Sequence, residues 1–395
     1  MVFIPDEIEE QYIDILDNST HGEIVLIRMT PTMLNKSIID ASHPLRLLLQ
    51  ENFNINFNAM GRGRENGITG EIDLLINGQF ETRTISFYRP QTKNGDPRFW
   101  ISRLHNNMNA FDMLLLTVWN NNLFAIPLIG DINQFSSALK KVFFIKQNEL
   151  PQEVLELQTS IKSIYHEGWI QTMKAGDTGV GYTFESLIGI EANSSKEPDY
   201  KGIEIKCSRG KSSTLQTLFS KTPNYANLEN KRKDLVINNG YWDSIRSRYA
   251  LYITIKASEI NSKGWQLVLD DKSERIYVSQ HGKAVVYYEY NILKNSLAQK
   301  HKQTVFIKAS SKDRNTKNDS NELFLYDSAY YCEESSFINF ISLMEEGKIS
   351  LDFAIHHDPE TGKTRDHGFL WRISKEYIPL LFKKQIKLCI KESDY

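Results

Sequence analysis

The run Pro198-Asp199-Tyr200-Lys201-Gly202-Ile203-Glu204-Ile205-Lys206 decides how this chain is read. Ile203 and Ile205 alternate with Glu204 and Lys206, so a strand here buries the isoleucines and presents a carboxylate and an ammonium on its other face. Asp199 lies five residues before Glu204, and Pro198 and Gly202 allow the chain to turn between them. Two carboxylates and one amine thereby meet at the edge of a sheet. That set suits metal-assisted hydrolysis of a phosphodiester. Asp199 and Glu204 are hard oxygen ligands for Mg²⁺, which keeps several waters and completes its shell from substrate phosphate. The ion acidifies a bound water, and Lys206 orients or activates that water and faces the phosphoryl oxygens. Glu185, on a preceding helix, would support the ion's outer shell, bind a second ion or fix Lys206. An acid two residues before a lysine is common, and Glu229-Asn230-Lys231, Asp270-Asp271-Lys272 and Glu346-Gly347-Lys348 repeat it. None of those joins an alternating apolar strand to an upstream Pro-Asp. On spacing alone, a surface ion pair on a half-exposed strand stays open as the alternative.

Around this run the chain is an ordinary globular sequence. It has 395 residues, 41% hydrophobic and 24% charged, which excludes disordered and fibrous classes and predicts two or three domains. The apolar runs Met113–Trp119 and Leu123–Ile129 fall far short of the roughly 18 residues of a bilayer span, so no membrane partner is expected. Met1–Gln11 lacks the basic start of a secretory signal. Three cysteines (Cys207, Cys332, Cys389) without paired spacing suit a reducing cytoplasm and form no zinc knuckle. The net charge of −2 is uneven: residues 1–150 carry 13 basic and 17 acidic groups, whereas 201–256 carry 11 and 4. The second stretch is what a phosphate-tracking groove looks like, or else a solvated lysine-rich face.

The composition at Asn148–Pro151 marks a boundary, giving an amino-terminal domain over 1–147 and a second over 148–395. The first reads as mostly β: Glu23–Met29, Gly70–Ile76 and Thr82–Tyr88 have strand character, broken by Asn77-Gly78 and Asn94-Gly95-Asp96-Pro97, with a short closing helix over Ile132–Val142. Pro151–Lys174 has helical apolar spacing. The glycine-rich Gly176–Gly181 lacks the Gly-Lys-Ser/Thr ending of a phosphate loop and reads as the entry to a helix. Lys300–Asn321, poor in apolar residues, reads as a long loop.

The run Gly176-Asp-Thr-Gly-Val-Gly-Tyr-Thr-Phe-Glu185-Ser-Leu-Ile-Gly-Ile190, then Asn193-Ser194 and Pro198–Lys206, resembles the MvaI/BcnI family of type II restriction endonucleases. A second match comprises Glu346-Gly-Lys-Ile349, Asp352, Gly362-Lys363, Asp366-His-Gly368 and Arg372-Ile373, so the resemblance spans about 151–390. It implies a MutH-like PD-(D/E)xK fold, α+β or α/β with a mixed central sheet. It also implies a monomeric enzyme cutting duplex DNA at CC-N-GG sites with Mg²⁺, and a separate methyltransferase acting on the same site. Asp199, Glu204 and Lys206 fall on the family's catalytic acid, acid and lysine, and Glu185 on its helical glutamate. Glutamate at 204 resembles the MvaI branch, which implies CCWGG. Arg365, His367 and Arg372 fall on the base-reading motif; arginine pairs bidentately with guanine, although 365 is Arg where the family has His. Arg209 is expected to contact phosphate.

The amino-terminal domain carries its own basic clusters. Arg83, Arg89, Lys93, Arg98 and Arg103 interleave with Phe87, Tyr88, Phe99 and Trp100, and Arg62-Gly63-Arg64 forms a second arm. Arginines about such a turn suit groove or phosphate contact. Short runs resemble the DNA-binding pseudobarrel of EcoRII-type enzymes, which implies that Arg62, Arg64, Arg89, Lys93 and Arg98 bind a second DNA copy as effector. The alternative is a β domain for support or dimerisation, with Trp119, Phe124 and Phe143-Phe144 in its core. Competing activities are a MutH-like strand-nicking repair enzyme and a non-cleaving DNA-binding protein on a nuclease fold.

Overall fold

The computed structural model of this chain describes residues 5–17, 22–143, 150–190, 198–210, 215–225, 231–314 and 320–391, apart from the side chains of Asp14, Asp17, Lys93, Asp366 and Pro379. It is a mixed α and β protein, and no described helix is long and apolar enough to cross a membrane. Two compact units emerge, both discontinuous in sequence. One joins Met1–Lys146 to Ser220–Lys294 and Ser336–Ile373; the other joins Gln147–Phe219 to Asn295–Ser335 and Ser374–Tyr395.

The second unit is built on a five-stranded sheet. Its order is Phe382–Leu388, Leu323–Ser335, Gln303–Lys312 and Glu204–Arg209, with Ile170–Gln171 pairing off the start of Leu323–Ser335. The sheet is mixed: Glu204–Arg209 runs parallel to Gln303–Lys312, with Glu204 opposite Thr304, and the other pairs are antiparallel. The helix Gln152–His166 buries Val154, Leu157, Ile161 and Ile164, one stripe at helical spacing. Together with Phe184, Ile203, Ile205, Val305 and Ile307 they make one core. Lys300–Asn321 is therefore no long loop. Within it Thr304, Val305, Phe306 and Ile307 are consecutive buried residues of an interior strand, whose two covered faces remove the alternation that identifies a half-exposed strand. The polar residues around that short run mask it.

The first unit holds a seven-stranded sheet ordered Ile24–Arg28, Met113–Trp119, Asn122–Pro127, Gly63–Ile76, Gln79–Arg89, Arg98–Ile101, Ile39–Asp40. Asn77 and Gly78, at φ 46° and 74°, close the Gly63–Ile76/Gln79–Arg89 hairpin with the left-handed pair that such turns require. Leu114, Leu116 and Ala125 enter one core and Met113, Leu115 and Phe124 the other, so the sheet is covered on both sides. Ile132–Val142 is a helix, capped by Asp131 Oδ1 on two backbone N–H groups. Trp119, Phe124 and Phe143 pack together; Phe144 lies outside the described residues.

The linear partition at 147 and the compact units differ, and the helix Phe337–Glu345 supplies the reason. Phe337, Ile338, Phe340, Ile341, Leu343 and Met344 are all buried, so most of its circumference is apolar and must be covered by other elements. It packs on the helix His43–Phe53 and the strands Ile24–Arg28 and Ile349–His357. Polar ties accompany it: His43 Nδ1 lies 2.5 Å from Glu345 Oε1, and Arg46 Nε donates to Asp271 Oδ2 at 2.6 Å. The same unit contains the antiparallel strands Thr364–Ser374, Ile349–His357, Arg248–Ile255 and Tyr241–Asp243.

Candidate active site

A two-residue hairpin brings the carboxylates of the second unit together. Tyr200 and Ile203 exchange both backbone hydrogen bonds, at 2.9 and 2.7 Å, and Lys201 and Gly202 between them have φ 45° and 89°. Two successive positive φ values turn the chain back on itself. Lys201 is held in this conformation by an ion pair to Glu156 Oε2 at 2.5 Å. The reversal returns Asp199 to the strand, where its Oδ2 accepts from the Ile205 amide at 2.9 Å.

Ile203 and Ile205 are buried as the alternation predicts, but Glu204 is buried too, with 1% exposure. Its carboxylate is matched by two ammonium groups. Lys206 Nζ donates to Oε1, and Lys300 Nζ sits 2.9 Å from Oε2. Oε2 nevertheless accepts no well-directed hydrogen bond, so the Lys300 contact is an ion pair of short distance and poor alignment. Glu185, on the helix Gly179–Leu187, faces the same group of charges: burial, then Asp199, push its carboxyl up, while Lys206 and Lys174 oppose them. Burial first and Glu185 second push the Cys207 thiol well up. Asp199, Glu204, Lys206 and Glu185 thus form one electrostatic cluster.

The donor set fits a hard divalent cation of the Mg²⁺ kind. Two carboxylates are present and a buried Glu204 oxygen lacks a directed donor. Among the described residues no group of three or more His, Cys, Asp and Glu is placed to hold an ion. A two-carboxylate shell completed by water and phosphate is what such an ion accepts.

Arg209 is committed elsewhere than expected. Its Nε and Nη2 grip Glu322 at 2.6 and 2.7 Å, and Nη1 and Nη2 donate to the carbonyls of Asp177 and Gly176 at 3.0 Å. Nε and Nη2 on the two oxygens of the buried Glu322 make a fork-on-fork pair that pins the glycine-rich loop. The loop enters its helix at Gly179, where a Cβ would lie 2.3 Å from the Lys174 carbonyl oxygen. The hairpin, the cluster of acids and lysines and most of the mixed sheet lie within the stretch 158–382, which fits the MvaI/BcnI restriction endonuclease family. The chain belongs to that family. Like its other members it is a type II site-specific DNA nuclease. Its structure is similar to restriction endonuclease MvaI in complex with cognate DNA, at 25% identity and TM-score 0.52, covering 61% of this chain and 100% of that one. MvaI in the absence of DNA is also similar, at 25% identity and TM-score 0.41, covering 62% and 100%. No curated protein matches the chain.

Within this MvaI/BcnI enzyme the expected base-reading residues lie on Thr364–Ser374 of the other compact unit. Arg365 and His367 are exposed. The His367 ring stands 5.9 Å from that of His356, whose Nδ1 is 3.1 Å from the Tyr252 hydroxyl. Burial, then Arg248 and His367, hold His356 below the usual imidazole range. Arg372 Nη1 donates to Asp352 Oδ2 at 2.8 Å, and Thr254 holds the other Asp352 oxygen. Asn193 and Ser194 lie outside the described residues.

The amino-terminal arginines divide. Arg89 donates to the Gly95 carbonyl at 2.7 Å and to those of Phe57 and Met60 at 3.4 Å. Arg98 Nε is 3.3 Å from Asp40 Oδ1. Both tie segments of their own sheet together. Arg62 packs along Gly95, and the Lys93 side chain lies outside the described residues. Arg64 is exposed with its guanidinium 5.5 Å from the Tyr88 ring centre. It lines a cavity of about 370 Å³ with Lys36, Ser86, Tyr88 and Trp100, and no carboxylate is among the lining residues. Sequence reading missed Lys300, Glu322, Tyr252 and His356. Lys300 and Glu322 flank the strand read as loop, and neither has a local spacing that marks it.

Proposed function

We propose that this enzyme hydrolyses phosphodiesters of duplex DNA at CC-N-GG sites, CCWGG in particular, with Mg²⁺ held by Asp199 and Glu204. One observation carries the reading: the Lys201-Gly202 hairpin seats Asp199 on the Ile205 amide beside a buried Glu204 that Lys206 contacts. The ion, when bound, would supply an acidified water and neutralise phosphoryl charge. Lys206 orients the attacking water and faces the phosphoryl oxygens. Glu185, whose carboxyl burial pushes up, takes or shares a proton beside Lys206. Arg365 and His367, exposed, read base edges; Arg372, braced by Asp352, contacts guanine. The protein acts on one site as a monomer. The identity of residue 204 supports the CCWGG reading only through its likeness to the MvaI branch.

We infer also that the amino-terminal segment, 1–147, binds a second DNA copy as effector. The acid-free groove of Lys36, Arg64, Tyr88 and Trp100 supports this, since cations and aromatic faces suit a polyanion with bases.

A plasmid carrying CCWGG, incubated with Mg²⁺, tests the main reading. Discrete double-strand fragments support it; open circles alone point to a nicking enzyme, and no product to a binding protein. Lys206→Ala should slow cleavage roughly 10²- to 10⁴-fold, the range for a lost proton-transfer group. In Ca²⁺ it should retain binding to the site. A variant that cuts at the wild-type rate would remove Lys206 from the chemistry.

A further inference from the structure

Glu204 is a buried carboxylate contacted at both oxygens by ammonium groups, and only one of these belongs to the acid-x-Lys motif. Lys300 closes the helix Tyr290–Lys300 and is carried to Oε2 by the parallel pairing that sets Thr304 opposite Glu204. Its side chain is 32% exposed. Counting the groups that act on one another here, Glu185, Asp199 and Glu204 are countered by Lys206, Lys300 and Lys174. The cluster is balanced without any ion. Lys206 already donates to Oε1, so Oε2, which accepts no directed hydrogen bond, offers a divalent cation the fuller set of lone pairs. Oε2 is the oxygen beside which Lys300 sits.

We propose that Lys300 is a positioning residue that acts as the resident counter-ion of Glu204, holding the carboxylate in place and keeping divalent-ion affinity low until a DNA phosphate adds negative charge. The inference rests on the reading of Asp199 and Glu204 as cation ligands. Lys206 and Lys300 then differ in role: the first is aligned as a donor and stays, the second is misaligned and yields. Removing the Lys300 charge removes a like-charge repulsion within a few ångströms of the incoming ion. Even at full water screening a unit charge about 4 Å from a divalent ion changes affinity by roughly 30-fold, and more in a partly buried site.

Mn²⁺ titrated into the full-length protein without DNA, followed by electron paramagnetic resonance, reads this affinity directly. Lys300→Gln should bind Mn²⁺ roughly 30-fold more tightly than wild type, and Lys300→Arg, which keeps the charge, should restore the weak binding. Lys300→Met keeps the stem and reads the same quantity if Lys300→Gln does not fold. Equal affinity in wild type, Lys300→Gln and Lys300→Met overturns the counter-ion role, provided that Asp199→Asn weakens binding in each. If Asp199→Asn leaves Mn²⁺ binding unchanged, the cation-ligand reading itself fails, which is a separate result.

Discussion

His301, next in sequence to Lys300, shows how a single buried group ties stability to pH. Its Nε2 lies 2.9 Å from the Leu218 carbonyl and its Nδ1 3.2 Å from the Thr304 hydroxyl. The carbonyl requires Nε2 to carry the hydrogen, which leaves Nδ1 to accept from Thr304 in the neutral ring. Burial, against the Leu218 hydrogen bond, lowers its pKa to about 4. The unfolded chain takes up this proton near pH 6.5 and the folded chain does not, so stability falls as pH drops from about 6.5 towards 4. The full difference is about 3 kcal/mol. Chemical unfolding between pH 7 and 4 should show a shallower acid loss in His301→Gln than in wild type. Parallel curves would mean that His301 is no more reluctant to protonate in the fold than in the open chain.

The hairpin is the element on which the site depends, and much of it was legible. Pro198, Gly202 and the Ile203/Ile205 alternation give a turn followed by a strand, which is what the structure contains. What local pattern does not hold is the covering of the far face. Alternation says that Glu204 points away from the isoleucines; it says nothing of Lys300, 96 positions on, which meets it there. Arg89, Arg98 and Arg209 have partners that local pattern does not show, for a related reason. Residue type advertises a cation, but the carbonyls and carboxylates that occupy it come from other elements. A Cβ at Gly202 meets nothing within 4 Å, so Gly202→Ala tests backbone strain alone. It should cost about 1–2 kcal/mol, the penalty of a left-handed conformation for an L-residue, and slow cleavage by moving Asp199 off the Ile205 amide. Wild-type turnover with lowered stability would separate the turn from the chemistry.

At the scale of the molecule, the effector reading predicts that one DNA copy alters the cutting of another. A two-site plasmid, or a single-site plasmid with a short cognate duplex, should be cut faster than the single-site plasmid alone. The underlying coupling is typically about 1–3 kcal/mol in binding terms. Lys36→Ala with Arg64→Ala should abolish the difference while single-site cutting persists; equal rates on one and two sites in wild type would leave the amino-terminal segment a supporting role. Its burial of Ile338 from a distant helix means that the full chain is the proper material for this test.

The parallel pairing of Glu204–Arg209 with Gln303–Lys312 also sets a clock. Between the two strands lie 93 residues, 210 to 302. A ribosome adding about 5–20 residues per second therefore makes Asp199, Glu204 and Lys206 some 5–20 s before the strand they must lie against. Throughout that interval the nascent chain has its aspartate, glutamate and lysine but no sheet to hold them in register. The cluster of acids and lysines is therefore complete only late in the chain's own synthesis, once Lys300 and the strand Gln303–Lys312 have followed.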